Sequence, residues 1–302
     1  MHFTTLIDAA ALRALPALGV RPPGPGGLVL LDCRFDLGLP DAGRQAYAVA
    51  HLPGALYADL NDDLAAPVTP TSGRHPLPDP ETLARRFAAF GIRRDSQVVT
   101  YDDANGMFAA RAWWLLRWLG HRRVAVLDGG YRAWVAAGGA LESGAPAVAT
   151  AAADIAAFDS TAFDSTAVDS AAVVSAADVL AALRDAARTL VDARAPERFR
   201  GEVEPIDPVA GHVPGAINHP FTLNLAADGR FLHATELQRR WLERLDGKAP
   251  HAVILMCGSG VTACHNALAL EVAGLAGAKL YAGSWSEWIR DPARPVARGA
   301  AS

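Results

Sequence analysis

Residues 252–262 read Ala-Val-Ile-Leu-Met-Cys-Gly-Ser-Gly-Val-Thr. Apolar residues lead straight into a cysteine, and residues with almost no side chain carry the chain away from it. A short apolar run bounded by glycine predicts a strand buried on both faces, and hence a sheet covered on both sides. Gly258 and Gly260 can adopt backbone angles that other residues avoid, so the chain can turn past Cys257 into a helix near Thr262. In open α/β sheets ligands collect outside the carboxyl ends of the strands, which is where Cys257 falls.

The same pattern occurs earlier. Val98-Val99-Thr100-Tyr101-Asp102 precedes Val253-Ile254-Leu255-Met256-Cys257 by 155 residues. Leu31-Asp32-Cys33-Arg34 is echoed by Val191-Asp192-Ala193-Arg194 at an offset of 160, and His51-Leu52-Pro53-Gly54-Ala55 by His212-Val213-Pro214-Gly215-Ala216 at 161. Gly129-Gly130-Tyr131-Arg132-Ala133-Trp134 is echoed by Gly283-Ser284-Trp285-Ser286-Glu287-Trp288 at 154. Four matches in one order at nearly constant offset mean two homologous domains; the period is too long for a solenoid.

Short apolar runs alternate with helical patterns in both copies, which predicts an α/β fold: in each domain a central, mostly parallel sheet flanked by helices. The central strands are expected at 97–101 and 252–256, followed by apolar helices at 107–119 and 262–273. Ahead of them, Asp79 and Pro80 predict a helix from Pro80 to Phe90 that stops at Gly91. In the second copy Thr235-Glu236-Leu237-Gln238 has the capping-box pattern and predicts a helix running to Leu245. The expected divisions are residues 1–140, an Ala-rich linker at 141–175, and residues 176–302. The linker carries Ala-Phe-Asp-Ser-Thr twice in tandem at 157–166. It reads as a duplicated insertion in a small-residue linker rather than a recognition repeat.

The chain has 302 residues, 51% of them hydrophobic, and a net charge of −4. That is core material for two domains, and it argues against nucleic acid or an anionic membrane as the main partner. No run approaches the ~18 apolar residues of a membrane span, and residues 1–20 lack the zones of a secretory signal. Cys33, Cys257 and Cys264 therefore fit free thiols in a reducing cytoplasm. The scattered histidines predict no metal site.

A glycine-rich loop ahead of a helix N-terminus favours negative charge. A cysteine held there is expected to ionise readily and act as a nucleophile. Cys264, inside the following helix, and Cys33, whose counterpart is Ala193, are expected to be packing residues. A cysteine phosphatase would need an arginine where Ala263 stands, and a dinucleotide loop would need no cysteine. The remaining chemistry is sulfur transfer: a thiolate takes an electron-poor sulfur, becomes a persulfide, and the loop amides hold it. A persulfide carrier or sensor without turnover is the alternative from another class.

Cys257-Gly258-Ser259-Gly260-Val261-Thr262, the tandem copies, the His-x-Pro-Gly-Ala turns and Gly283–Trp288 together resemble the two-domain rhodanese-type sulfurtransferases, and the loop is similar to that of their 3-mercaptopyruvate branch. The resemblance implies that Cys257 is the catalytic thiol and that the first copy is inactive, because Asp102 stands in its place and a carboxylate cannot form a persulfide. It implies catalytic roles for Ser259, as hydrogen-bond partner or proton relay, and for Thr262, whose hydroxyl would sit beside the thiolate. It implies donor binding by Arg198, His75 and the loop residues Gly258, Gly260 and Val261. Arg194 reads as a structural partner of Asp192, since Asp32 and Arg34 repeat the pair.

Three departures from the family pattern stand out. The second donor-binding arginine of mercaptopyruvate enzymes is missing from Glu202–Asp207, with Arg200 as the nearest substitute. The acidic partner expected for His75 aligns with Asn61, so no full Ser–His–Asp relay is expected, and Asp62 and Asp63 read as surface carboxylates. The loop lacks the basic side chains of thiosulfate enzymes, which suits monoanionic 3-mercaptopyruvate, with thiosulfate sulfurtransfer as the alternative activity; Gly258→Arg with Ser259→Lys is expected to raise thiosulfate turnover relative to mercaptopyruvate. The implied partners are a small anionic sulfur donor and a thiol, cyanide or thioredoxin-like acceptor, with no metal or organic cofactor.

Overall fold

The computed structural model describes residues 2–16, 18–19, 26–144 and 168–300; the tandem Ala-Phe-Asp-Ser-Thr stretch lies outside them. The chain forms two compact units, Met1–Ala66 with Pro78–Asp169, and Pro67–Leu77 with Ser170–Ser302.

The first unit is built on parallel strands β1 (Leu6–Ile7), β2 (Leu28–Asp32), β3 (Leu56–Tyr57), β4 (Gln97–Tyr101) and β5 (Val124–Leu127), in the order β1-β5-β4-β2-β3. Its helices are α1 (Ala9–Arg13), α2 (Ala42–Val49), α3 (Pro80–Ala89), α4 (Ala109–Trp118) and α5 (Gly130–Ala136). Strands β2, β4 and β5 are buried throughout, as their mostly apolar composition requires, and the buried Asp32, Gln97 and Thr100 in them are each hydrogen-bonded. Helix α3 starts as expected, with the Asp79 carboxylate accepting from Thr82 N–H at 3.1 Å and Pro80 at a position that needs no donor. In α4 every residue but Arg117 is buried, which explains why its sequence has no polar face.

The second unit contains α6 (Ala176–Ala182), β6 (Thr189–Asp192), α7 (Pro196–Phe199), β7 (Ile217–Asn218), α8 (Ala234–Leu245), β8 (Val253–Met256), α9 (Thr262–Val272), β9 (Lys279–Leu280) and α10 (Ser284–Trp288). Its parallel sheet runs β7-β6-β8-β9 and repeats the first in register: Asp192 pairs with Met256 as Asp32 pairs with Tyr101. The counterpart of β1 is reduced to a single parallel bridge, Val173 to Leu280. From β6 the chain passes to β7 on one side and then to β8 on the other. The carboxyl ends of β6 and β8 therefore flank the switch point of the sheet, where such folds bind ligands.

The repeated motifs prove to be structural supports. His51 stacks on Tyr47 and His212 on Phe199, each at 3.8 Å between ring centroids, and each Nδ1 lies 2.8 Å from the carbonyl oxygen of the residue it stacks on. Arg34 and Arg194 fork onto the buried Asp32 and Asp192 carboxylates at 2.5 and 2.7 Å, and lie over the rings of Tyr131 and Trp285. Removing one partner of such a buried pair costs about 3–5 kcal/mol, so these residues are committed to the fold.

One helix start differs from expectation. Helix α8 begins at Ala234, with His233 at the cap and no side-chain cap bond, so Thr235 already lies in the first turn and its capping box does not form. A capping box does open α6, where Ser175 and Asp178 bond reciprocally.

Candidate active site

Cys257 leaves the carboxyl end of β8 and is 2% exposed. Its main chain is fixed by α10: its N–H donates to Ser284 Oγ at 3.1 Å, its carbonyl accepts from Trp285 N–H at 3.0 Å, and Gly258 O accepts from Ser286 N–H at 2.9 Å. Gly260 then turns with φ +78°, and its N–H donates to Cys257 Sγ at 3.2 Å. A Cβ at Gly260 would drive into the Ala282 carbonyl oxygen, so both the conformation and the space demand glycine. Val261 caps α9 and Thr262 is its first residue, so the Thr262 hydroxyl is not an N-cap; among the described residues it makes no hydrogen bond.

Ser259 is buried and its Oγ lies 2.8 Å from His75 Nδ1. His75 comes from Pro67–Leu77, the piece of the first half of the sequence that belongs to the second unit. Arg198 projects from α7 and donates to Glu204 at 2.7 Å and to Asp207 at 3.2 Å. Arg74 pairs with the same Asp207. A Cβ on Gly258 would lie 3.0 Å from Arg74 Nη2 and 3.7 Å from both Nη atoms of Arg198. The loop's own side chains are neutral and Arg198 faces it, as expected; the second guanidinium facing it, that of Arg74, was not expected.

The structure thus gathers Cys257, Gly258, Ser259, Gly260, Val261, Arg198 and His75 around one loop, with Thr262 beside it. Arg200 does not join them. Its guanidinium forks onto Glu202 at 2.7 and 2.8 Å on the surface. Asn61 is exposed, with its backbone bonded to Asp59 in the first unit. Asp62 is exposed as expected, but Asp63 is not a plain surface carboxylate. It is half-buried and accepts from Asp59 N–H at 2.8 Å, and burial raises its pKa to about 6.

Beneath the loop, charges alternate: Asp192, Arg194, Glu204, Arg198, Asp207, Arg74. Burial pushes Glu204 up, yet Arg198 and the amides of Asp207 and Ile206 outweigh it and hold the carboxyl below its ordinary range. Burial raises Asp207, with Arg74 and Arg198 offsetting part of the effect. The other thiols have packing roles: burial and the Asp32 charge push Cys33 far up, and Cys264 donates to Gly260 O at 3.2 Å from within α9. Among the described residues no group of three or more His, Cys, Asp or Glu is placed to hold a metal ion, and no helix is long and apolar enough to cross a membrane.

Two segments, residues 21–137 and 175–291, match the family of rhodanese-like domains. The chain belongs to the rhodanese family. It is 50% identical over 295 residues to a probable 3-mercaptopyruvate sulfurtransferase of Pseudomonas aeruginosa, covering 97% of this chain and 100% of the relative. It is 43% identical over 300 residues to the putative thiosulfate sulfurtransferase SseB of Mycobacterium tuberculosis, covering 98% of each. The crystal structure of the 3-mercaptopyruvate sulfotransferase SseA from Escherichia coli is similar with a TM-score of 0.72 at 32% identity, over 94% of this chain and 100% of that one.

The two rhodanese loops of the chain differ in what they enclose. In the first, the fully buried Asp102 carboxylate occupies the amide ring: Oδ1 accepts from Ala104 and Gly106 N–H at 2.8 and 2.9 Å, and Oδ2 from Phe108 and Ala109 N–H at 2.8 Å each. Burial raises the Asp102 pKa and the four amides lower it, so the first loop closes on a carboxyl group of the chain itself. Sequence reading missed Arg74, Ser284 and the paired Glu204 and Asp207. For Ser284 a signal existed, since the other copy has Gly130 at that place; for Arg74 there was none in the spacing.

Proposed function

We propose that the chain is a sulfurtransferase that takes sulfur from 3-mercaptopyruvate onto Cys257 and passes it to a thiol, such as that of a thioredoxin-like protein, or to cyanide. The observation that carries this reading is the Gly260 N–H on Cys257 Sγ, in a loop faced by the Arg198 guanidinium. A cation over the loop draws the donor carboxylate, and the thiolate lies at the end of the same loop.

The Cys257 thiolate attacks the donor's thiol sulfur. The sulfur–carbon bond breaks, its electron pair stays on carbon, and the enolate of pyruvate leaves. Ser259 protonates that carbon, and the proton given up by the donor's thiol passes to His75 Nδ1, 2.8 Å from Ser259 Oγ, and from there restores the hydroxyl, so the outer sulfur is left as an anion. Cys257 now carries the extra sulfur as a persulfide. The loop amides, the first turn of α9 and the Thr262 hydroxyl hold the outer sulfur as the Asp102 carboxylate is held in the first unit. An acceptor thiolate or cyanide attacks that outer sulfur and the Cys257 thiolate returns. Every electron pair is accounted for without a metal or organic cofactor. Cysteines kept as thiols suit a reducing cytoplasm as the setting.

The test is steady-state release of pyruvate from mercaptopyruvate, with thiosulfate as the competing donor, for the wild type and Cys257→Ser. Turnover of mercaptopyruvate by the wild type and its loss in Cys257→Ser are expected. A wild type that gains sulfur in one turnover but releases no product repeatedly would favour a carrier, and full activity in Cys257→Ser would overturn the mechanism.

A further inference from the structure

The two guanidinium groups facing Gly258 reach it from distant parts of the sequence, Arg198 from α7 and Arg74 from Pro67–Leu77. Arg74 is held in place from several sides. Its N–H donates to Ser286 Oγ at 3.1 Å, and Ser286 N–H in turn donates to Gly258 O. The next residue, His75, meets Ser259 of the loop. Gly73 leaves no room for a side chain, since a Cβ there would lie 2.9 Å from Ser286 Oγ. The segment is therefore fitted to the loop rather than draped near it.

Asp207 joins the two arginines, accepting from Arg74 Nη1 and Arg198 Nη2. Arg198 spends Nε and Nη2 on Glu204 and Asp207, while among the described residues its Nη1 donates to no acceptor. Among the same residues Arg74 Nη2 donates to none, and its Nε is buried with no partner. The undirected donors are thus the ones nearest Gly258. Arginines 74, 194 and 198 balance the carboxylates of Asp192, Glu204 and Asp207, three against three, so the cluster is neutral as it stands. A ligand bearing one negative charge and two adjacent oxygens would be bound by one donor from each arginine.

We propose that Arg74 is a second donor-binding residue, which with Arg198 clamps the carboxylate of the sulfur donor over Gly258. The proposal rests on the reading of Cys257 as the sulfur acceptor. It places the carboxylate one residue along the loop from the thiol, and makes selection of the donor a property of a segment remote in sequence from the loop.

The experiment compares two donors on the full chain: mercaptopyruvate, and mercaptoacetone, which has the same thiol and ketone but no carboxylate. The wild type is first mixed with mercaptopyruvate and weighed by mass spectrometry for the gain of one sulfur. Arg74→Gln is then expected to lower the ratio of kcat/KM for mercaptopyruvate to that for mercaptoacetone by about 30-fold, chiefly through KM, as loss of one charge-assisted pair implies. If both donors fall equally, Arg74 only shapes the loop and the proposal is overturned. If Arg74→Gln does not fold, Arg74→Lys, which keeps a cation beside Asp207 without the fork, is read in the same way; a fall of about fivefold in the ratio is expected, and an unmoved ratio overturns the proposal. A wild type that gains no sulfur sinks the underlying sulfur-transfer reading; a wild type that gains it, with a ratio indifferent to Arg74, sinks this proposal alone.

Discussion

Ser284 Oγ accepts the backbone N–H of Cys257 at 3.1 Å and donates to Tyr281 O at 2.9 Å, and to do so Ser284 holds φ at +53°. The equivalent residue in the first unit is Gly130, at φ +58°, where the conformation costs nothing. A non-glycine residue in this region is strained by about 1–3 kcal/mol, and here the hydroxyl that offsets the strain anchors the residue bearing the thiol. Ser284→Ala keeps the strain and leaves a buried N–H unpaired, so a loss of about 2–4 kcal/mol in denaturant unfolding is expected. Ser284→Gly relieves the strain and is expected to lose less. Both are expected to lose about tenfold in kcat/KM; a Gly variant with wild-type kcat/KM would mean that the hydroxyl does not position the loop.

What was legible in the sequence follows from what is local. Buried parallel strands show as short runs rich in β-branched and aromatic residues, so Gln97–Tyr101 is legible with its bounds, and the helix after Pro80 to within one residue of its end. The loop residues were found because their chemistry lies in consecutive positions. Arg74 was not, because nothing in the chain near Arg198 or in Glu202–Asp207 points to it. The carboxylates of that stretch instead hold an arginine supplied from more than a hundred residues earlier, a pairing of |i−j| = 133 for Arg74 and Asp207. Spacing carries no signal for such a pair. The Thr235 pattern failed for the opposite reason: the helix starts two residues earlier than the capping box requires, with His233 at the cap, and that turns Thr235 into a first-turn residue.

Loop charge now has a different expected effect. Gly258→Arg with Ser259→Lys adds a guanidinium where a Cβ alone is 3.0 Å from Arg74 Nη2, and removes the hydroxyl that meets His75. Like charges at this distance repel, and Arg74 must swing away. The thiosulfate-to-mercaptopyruvate ratio is still expected to rise, but because mercaptopyruvate turnover falls by about 100-fold through loss of carboxylate binding and of the proton relay. Separate kcat/KM values for each donor check this. A rise in thiosulfate turnover with mercaptopyruvate turnover unchanged would show that the new charge acts by itself.

Asp63 makes a pH prediction in the first unit. Burial is the main cause of its pKa of about 6, against 3.8 for the unperturbed carboxyl. The folded chain therefore holds a proton that the unfolded chain has released, and stability falls as pH rises across that window and stays lowered above it. Asp63→Asn keeps an acceptor for Asp59 N–H and removes the charge. It is expected to gain about 1–3 kcal/mol at about pH 7.5 and almost nothing at about pH 3.5. Urea unfolding at the two pH values decides it, and an equal effect at both would mean that ionisation of Asp63 is not what costs stability.

Asp102 tests the idea that these loops are built to hold an anion. Four backbone N–H groups converge on its two oxygens, and the residue is fully buried. Asparagine has nearly the same shape but must aim an NH2 at two of those donors, so Asp102→Asn is expected to destabilise by about 2–4 kcal/mol. Asp102→Cys shortens the reach of the side chain and leaves the donors further from any acceptor, so a loss at least as large is expected, together with no gain of sulfur at that position when mercaptopyruvate is added. The readouts are urea unfolding and peptide mass after donor treatment. An Asn variant as stable as the wild type would mean that the amides do not depend on a negative charge, and the argument from this cradle to the persulfide on Cys257 would lose its physical basis.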